Sequence, residues 1–161
     1  MVWLLIIFCL AVVLSPLLWM KSSPRQRQIT QCREVARSLA INVNIHRRPD
    51  ARESEQRLDT VFYWLRWRDN KQVEPWVLHR YSSRGWESGF EGWQWISGQA
   101  SAEWISTIEL VVALLPVGVT AIIANKEGIG MVWDERGESS TVREIHHCIE
   151  KLREKGEKIY T

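Results

Sequence analysis

The sequence predicts an α+β protein: one N-terminal transmembrane helix followed by a small, mostly antiparallel sheet with three helices. Three observations carry that expectation. The first stretch, 1-MVWLLIIFCLAVVLSPLLWM-20, contains no charged side chain. Several strand-like segments then follow one another through short turns, which favours antiparallel pairing. Three segments with helical periodicity begin near residues 24, 102 and 140 and supply apolar stripes to cover the sheet.

Residues 1–20 are the expected span. At about 1.5 Å per residue they reach ~30 Å, the depth of a bilayer core. Trp3 and Trp19 fall near the two ends, where indoles favour the membrane interface, and Pro16 stands close to one end. No basic residue precedes the run, and Leu18-Trp19-Met20 is a poor cleavage sequence, so an uncleaved anchor is expected. Lys21, Arg25, Arg27, Arg33 and Arg37 follow with Glu34 as the only acid among them. Basic flanks stay cytoplasmic, so the expected placement is single-pass in the plasma (inner) membrane, N-terminus outside and C-terminal domain in the cytoplasm.

The net charge of +2 is unevenly distributed. Residues 21–48 hold seven basic side chains against one acidic, whereas 49–161 are net acidic. A basic excess beside the membrane suits anionic headgroups, with Lys21, Arg25 and Arg27 as candidate contacts. No basic stripe crosses the rest of the chain, so nucleic acid is not an expected partner. Cys9, Cys32 and Cys148 show no disulfide framework, which agrees with a reducing compartment. The expected organisation is a span at 1–20, a basic juxtamembrane helix at 21–40 and a cytoplasmic α+β domain at 41–161.

Ser23 followed by Pro24 is a helix-start signal, and Ile29, Cys32, Ala36 and Leu39 recur at helical spacing behind it. Residues 41-INVNIHR-47 alternate, with Ile41, Val43 and Ile45 on one face of a strand. The charged stretch 48-RPDARESEQRLD-59 reads as a solvated, mobile loop. Residues 60-TVFYWLRW-67 and 76-WVLHRYS-82 read as a hairpin, and 93-WQWIS-97 as a fourth strand. Rings on both faces of the first of these (Tyr63 and Trp67 against Phe62 and Trp64) mean that neither face stays bare.

Ser101 opens a helix that runs to Leu115 before Pro116 and Gly118. A second span over 104–124 is the alternative, but Pro116-Val117-Gly118 divides that run into parts of different period. A helix and then a strand at 119-VTAIIA-124 are therefore expected, with 129-IGMVWDE-135 returning after 125-NKEG-128. The last helix spans 140–156, with Thr141 and Glu144 as a capping box and Gly156 as its stop.

No Walker A loop, nucleophile elbow, H-E-x-x-H or C-x-x-C occurs, so no catalytic residue and no cofactor is expected. His146, His147 and Cys148 are adjacent helical positions that point about 100° apart and do not make one metal site. Seven of the ten tryptophans (Trp64, Trp67, Trp76, Trp86, Trp93, Trp95 and Trp104) crowd into the middle of the chain. Trp64, Trp76, Trp104 and Trp133 are expected in the core. Trp86, Phe90 and Trp93 sit among glycines in 85-GWESGFEGWQW-95, and rings on a loop are candidate anchors for a protein partner. The expected function is thus a membrane-anchored accessory or scaffolding protein. The alternative is a tethered enzyme or sensor that holds a small anion through His79, Arg80 and Arg84 in 79-HRYSSR-84. On the plain strand reading, Val77 and Tyr81 point inward and Arg80 outward.

Overall fold

In the computed structural model, Ser23 caps helix α1 (Pro24–Ser38): its hydroxyl accepts from the Gln26 amide at 3.2 Å. Pro24 occupies the first turn, where its missing N–H costs nothing. Residues 2–4, 6–9, 12, 23–52, 54–56, 58–69 and 72–160 are described. Residues 2–4, 6–9 and 12 are helical and exposed; the rest of the expected span, and Lys21, lie outside the described residues. Among the described residues, no helix is long and apolar enough to cross a membrane.

The fold is α+β. Its seven strands among the described residues are β1 (Asn42–Arg47), β2 (Asp59–Arg66), β3 (Trp76–Arg80), β4 (Trp86–Glu87), β5 (Trp93–Ser97), β6 (Val119–Asn125) and β7 (Gly128–Trp133). They form one sheet in the order β1-β2-β7-β6-β3-β5-β4, and every described pairing is antiparallel. The expected hairpin between 60–67 and 76–82 does not form. The β6–β7 hairpin lies between β2 and β3 instead, pairing Phe62 with Val132 and Leu78 with Ile122. Composition explains the exchange. All six residues of β7 are buried and none is charged, which is what a central strand requires.

Helices α1, α2 (Ala102–Leu114) and α3 (Ser139–Ile159) lie on one face, with α3 between and touching both others. The main core joins Tyr63, Leu65, Trp76, Leu78, Trp95, Ile122, Met131 and Trp133 from the sheet to Cys32, Trp104, Ile108, Ile145 and Ile149 from the helices. Residues 104–124 are a helix and then a strand, both contributing to that core. Helix α3 starts earlier than the capping box predicts, with Glu138 as N-cap, and it runs past Gly156 to Ile159. Gly156 is not a stop signal. A Cβ there would lie 2.7 Å from the Trp67 ring and 2.8 Å from the Trp104 ring, so glycine lets both indoles press on the helix backbone.

The opposite face explains the second set of rings. Phe62, Ala121 and Val132 form a small separate cluster on it. The indole of Trp64 lies across β7, where a Cβ on Gly130 would stand 2.4 Å from its Cε3. Half-buried Trp64 therefore covers a glycine strand of its own sheet and does not join the core with Trp76, Trp104 and Trp133.

Candidate functional site

The aromatic loop is not one surface. The chain leaves β3 at Tyr81, which adopts φ +61° and is 77% exposed, correcting its expected inward placement. It then makes the two-residue strand β4, the last of the sheet, where Trp86 pairs with Trp95 and stays 45% exposed. Phe90 is half-buried and meets the Trp95 ring edge-on at 6.5 Å. Trp93 is buried on the helix face, with the Arg80 guanidinium 5.9 Å from its ring and 4.7 Å from that of Tyr81. Ser88 braces the turn, its hydroxyl donating to the Trp93 carbonyl at 2.7 Å. Of the three rings singled out from sequence, Trp86 faces solvent, Phe90 is a partial wall and Trp93 is floor. An open depression of about 830 Å³ lies between Tyr81–Ser83 and residues 87–94.

His79, Arg80 and Arg84 do not converge. His79 and Arg80 alternate on β3, so Arg80 goes to the rings while His79 faces the other side of the sheet. There His79 is buried against Asp50, a residue of the stretch expected to be solvated. Asp50 is held from two directions. The Arg48 guanidinium pairs with its carboxylate, and Arg84 Nη1 donates to its backbone carbonyl at 2.9 Å. The stretch after β1 is thus pinned across the ends of the strands at this point.

His79 Nδ1 donates to the Arg80 carbonyl at 2.7 Å. That leaves Nε2 as the unprotonated nitrogen of the neutral ring, 3.5 Å from Asp50 Oδ1 and without a hydrogen-bond partner among the described residues. Two forces oppose each other on the ring. Burial disfavours the imidazolium and lowers its pKa, while the Asp50 carboxylate and the Arg80 carbonyl favour it; burial prevails. A cavity of about 490 Å³ adjoins this pair and is lined with the carboxylates of Asp50, Asp59 and Asp134 besides Arg48 and Arg80. Three carboxylates make it a poor receptor for an anion.

A second, partly buried ionic group joins the first helix to the sheet. Arg33 on α1 donates two hydrogen bonds of 2.8 Å to Glu135, which also accepts from the Tyr63 hydroxyl at 3.0 Å. Burial and the adjacent carboxylate push the Tyr63 phenol far above its ordinary pKa, so it stays a donor. Near the same end, Arg25 Nη2 donates to the Asp134 carbonyl at 3.3 Å and Gln28 Nε2 to the Gly137 carbonyl at 2.7 Å. The basic helix is built into the domain.

On α3, Cys148 is buried, His147 is exposed and His146 Nε2 lies 3.6 Å from Glu150. Sequence reasoning missed Asp50 and Glu135, since each is an acid in a polar stretch and is buried only by what folds onto it. No protein-family model, curated protein or solved structure matches the chain.

Proposed function

We propose that the chain is a single-pass membrane-anchored accessory protein whose α+β domain binds a protein partner at the outer edge of its sheet, with Trp86 as the anchoring side chain. Residues 1–20 are the anchor in this reading, N-terminus outside and domain in the cytoplasm, with Lys21, Arg25 and Arg27 next to anionic headgroups. The observation that supports partner binding is the position of Trp86. It is a large ring left 45% exposed on a terminal strand of two residues, beside a Tyr81 that is 77% exposed. Terminal strands carry unpaired backbone groups that take an added strand, and tryptophan is the residue most enriched among interface anchors. Phe90 and Trp93 support that edge from beneath. Glu87 and Glu91, both exposed beside it, favour a basic partner segment.

The alternative of a small anion at His79, Arg80 and Arg84 has less support. The three side chains diverge, Arg84 is bonded to the Asp50 carbonyl, and His79 faces a carboxylate.

The test is capture of the tagged full-length protein from membranes in mild detergent, with a photo-crosslinking residue placed at the neighbouring exposed Tyr81. A stoichiometric partner crosslinked from position 81, lost in Trp86→Ala and kept in Lys126→Ala, supports the reading. A partner retained equally by Trp86→Ala removes this edge as its docking site.

A further inference from the structure

Helix α2 is apolar on two sides, and only one of them is used. Trp104, Ile108 and Val111 enter the core. On the other side Leu110 is 65% exposed, Leu114 is 53% exposed and Val117, just past the helix end, is 88% exposed. Leu110 and Leu114 stand at i and i+4 on the helix, and Val117 follows in the turn beyond its end, so the stripe is one helical turn of about 6 Å continued by a turn residue. Ala113 is exposed beside them, and Glu109, one position before Leu110, stands about 100° around the helix at the border of the stripe. Large aliphatic side chains grouped at this exposure mark a candidate contact surface.

The stripe ends at the pole of the domain where the chain arrives from residues 1–22. Gly118 follows Val117, and its carbonyl accepts from the Asp134 amide at 3.2 Å. The Asp134 carbonyl in turn accepts from Arg25 in the first turn of α1. Val117 and the start of α1 are thus linked through Gly118 and Asp134. Twenty uncharged residues lead into that point, followed by Lys21 and then Arg25 and Arg27. Arg136, 81% exposed in its side chain, stands at the same pole with its guanidinium 3.7 Å from the Asp134 carboxylate, which offsets its charge.

We infer that the C-terminal half of α2, with Leu110, Leu114 and Val117, is a second membrane contact that lays this pole of the domain on the lipid surface. The inference rests on the reading of residues 1–20 as an anchor. A stripe of this length and chemistry matches the apolar face of helices that sink about 5–10 Å into the boundary between headgroups and acyl chains. Arg25 and Arg27 at the start of α1 supply the attraction to anionic headgroups that an apolar patch alone lacks. An anchor on one side of the pole and the stripe on the other hold the domain at two points. Its orientation on the membrane is then fixed, with the β6–β7 turn facing away.

The experiment uses the full chain in vesicles of phosphatidylcholine with a minority of phosphatidylglycerol. An environment-sensitive fluorophore is placed on the native Cys9 or, in a Cys9→Ser background, on Leu114→Cys, Val117→Cys or Lys126→Cys. Lys126 is exposed in the β6–β7 turn at the far end of the sheet, and Cys32 and Cys148 are buried. Quenching by nitroxide-labelled lipid several-fold stronger at 114 and 117 than at 126 is the expected result. Quenching at Cys9 with none above the Lys126 level at 114 and 117 overturns the inference and leaves the anchor standing. Protection of 114 and 117 from aqueous iodide without lipid quenching assigns the stripe to a protein contact and also overturns it. Absence of quenching at Cys9 removes the anchor reading and the inference together.

Discussion

Arg33 and Glu135 meet in a two-pronged ion pair, both hydrogen bonds 2.8 Å long, although they are 102 positions apart. Glu135 is buried and holds φ +56°, a conformation that side-chain-bearing residues seldom adopt. The strain is placed at the residue that joins the first helix to the end of the last strand. Arg33→Met leaves that carboxylate buried with Tyr63 as its remaining side-chain donor among the described residues. A loss of about 2–4 kcal/mol is expected, below the limit for a fully buried pair because the Arg33 side chain is 35% exposed. Urea unfolding of the single variant and of Arg33→Met/Glu135→Leu checks it. The double variant recovers most of the loss if the unpaired charge is the cause.

His79 gives the fold a pH dependence of known sign. Its folded pKa lies below the ordinary 6.5, so the folded state holds the neutral ring and the unfolded state takes up the proton first. Its contribution is complete above about pH 6.5 and is lost as pH falls through that value towards the lower folded pKa, by at most about 1.4 kcal/mol per pH unit. Thermal unfolding between about pH 7.5 and pH 5 should show the decline. His79→Gln should flatten it.

Gly156→Ala should destabilise the protein, the opposite of what helix propensity alone predicts. An exposed helical Gly→Ala change gains up to about 1 kcal/mol. Here the new methyl meets the rings of Trp67 and Trp104 under 3 Å away, and overpacking of this kind costs about 1–3 kcal/mol. Chemical denaturation followed by tryptophan fluorescence reads both the sign and the disturbance of the rings.

Trp86 and Trp95 face each other across β4 and β5 and should separate stability from binding. Trp95 is fully buried and packs edge-on against Trp76 at 5.8 Å, so Trp95→Ala should cost about 3–5 kcal/mol. Trp86→Ala should cost under about 1 kcal/mol, as expected for an exposed side chain. A large stability loss in Trp86→Ala would make any binding defect of that variant uninterpretable as docking.

Periodicity located most of the elements. Ser23-Pro24, the alternation of 41–47 and the Pro116-Val117-Gly118 break each mark a boundary that the fold respects within a residue or two. Pairing was less legible. The tendency of consecutive strands to be neighbours favours β2 beside β3, but the strands with least polarity, β6 and β7, take the centre. That preference can be read in 119-VTAIIA-124 and 129-IGMVW-133 once burial on both faces is considered. The His79–Asp50 contact had no local signal, because it joins a strand end to a polar stretch 29 positions away in sequence. The aromatic loop misled for a related reason. Glycine spacing marks a turn correctly, but whether a ring in it points up or down depends on Arg80 and Trp95, which periodicity does not bring into view.

The position of the β6–β7 hairpin also sets an order of events during synthesis. The pair β1–β2 and the group β3–β5–β4 have no strand pairing between them until residues 119–133 arrive. A nascent chain that has emerged only as far as Gly118 therefore holds two separate pieces of sheet, each with an open apolar edge. Such edges are aggregation-prone until they are closed, and the ribosome delivers the closing strands late. Attachment of the N-terminus to a membrane during that interval would keep the unfinished edges of neighbouring chains apart.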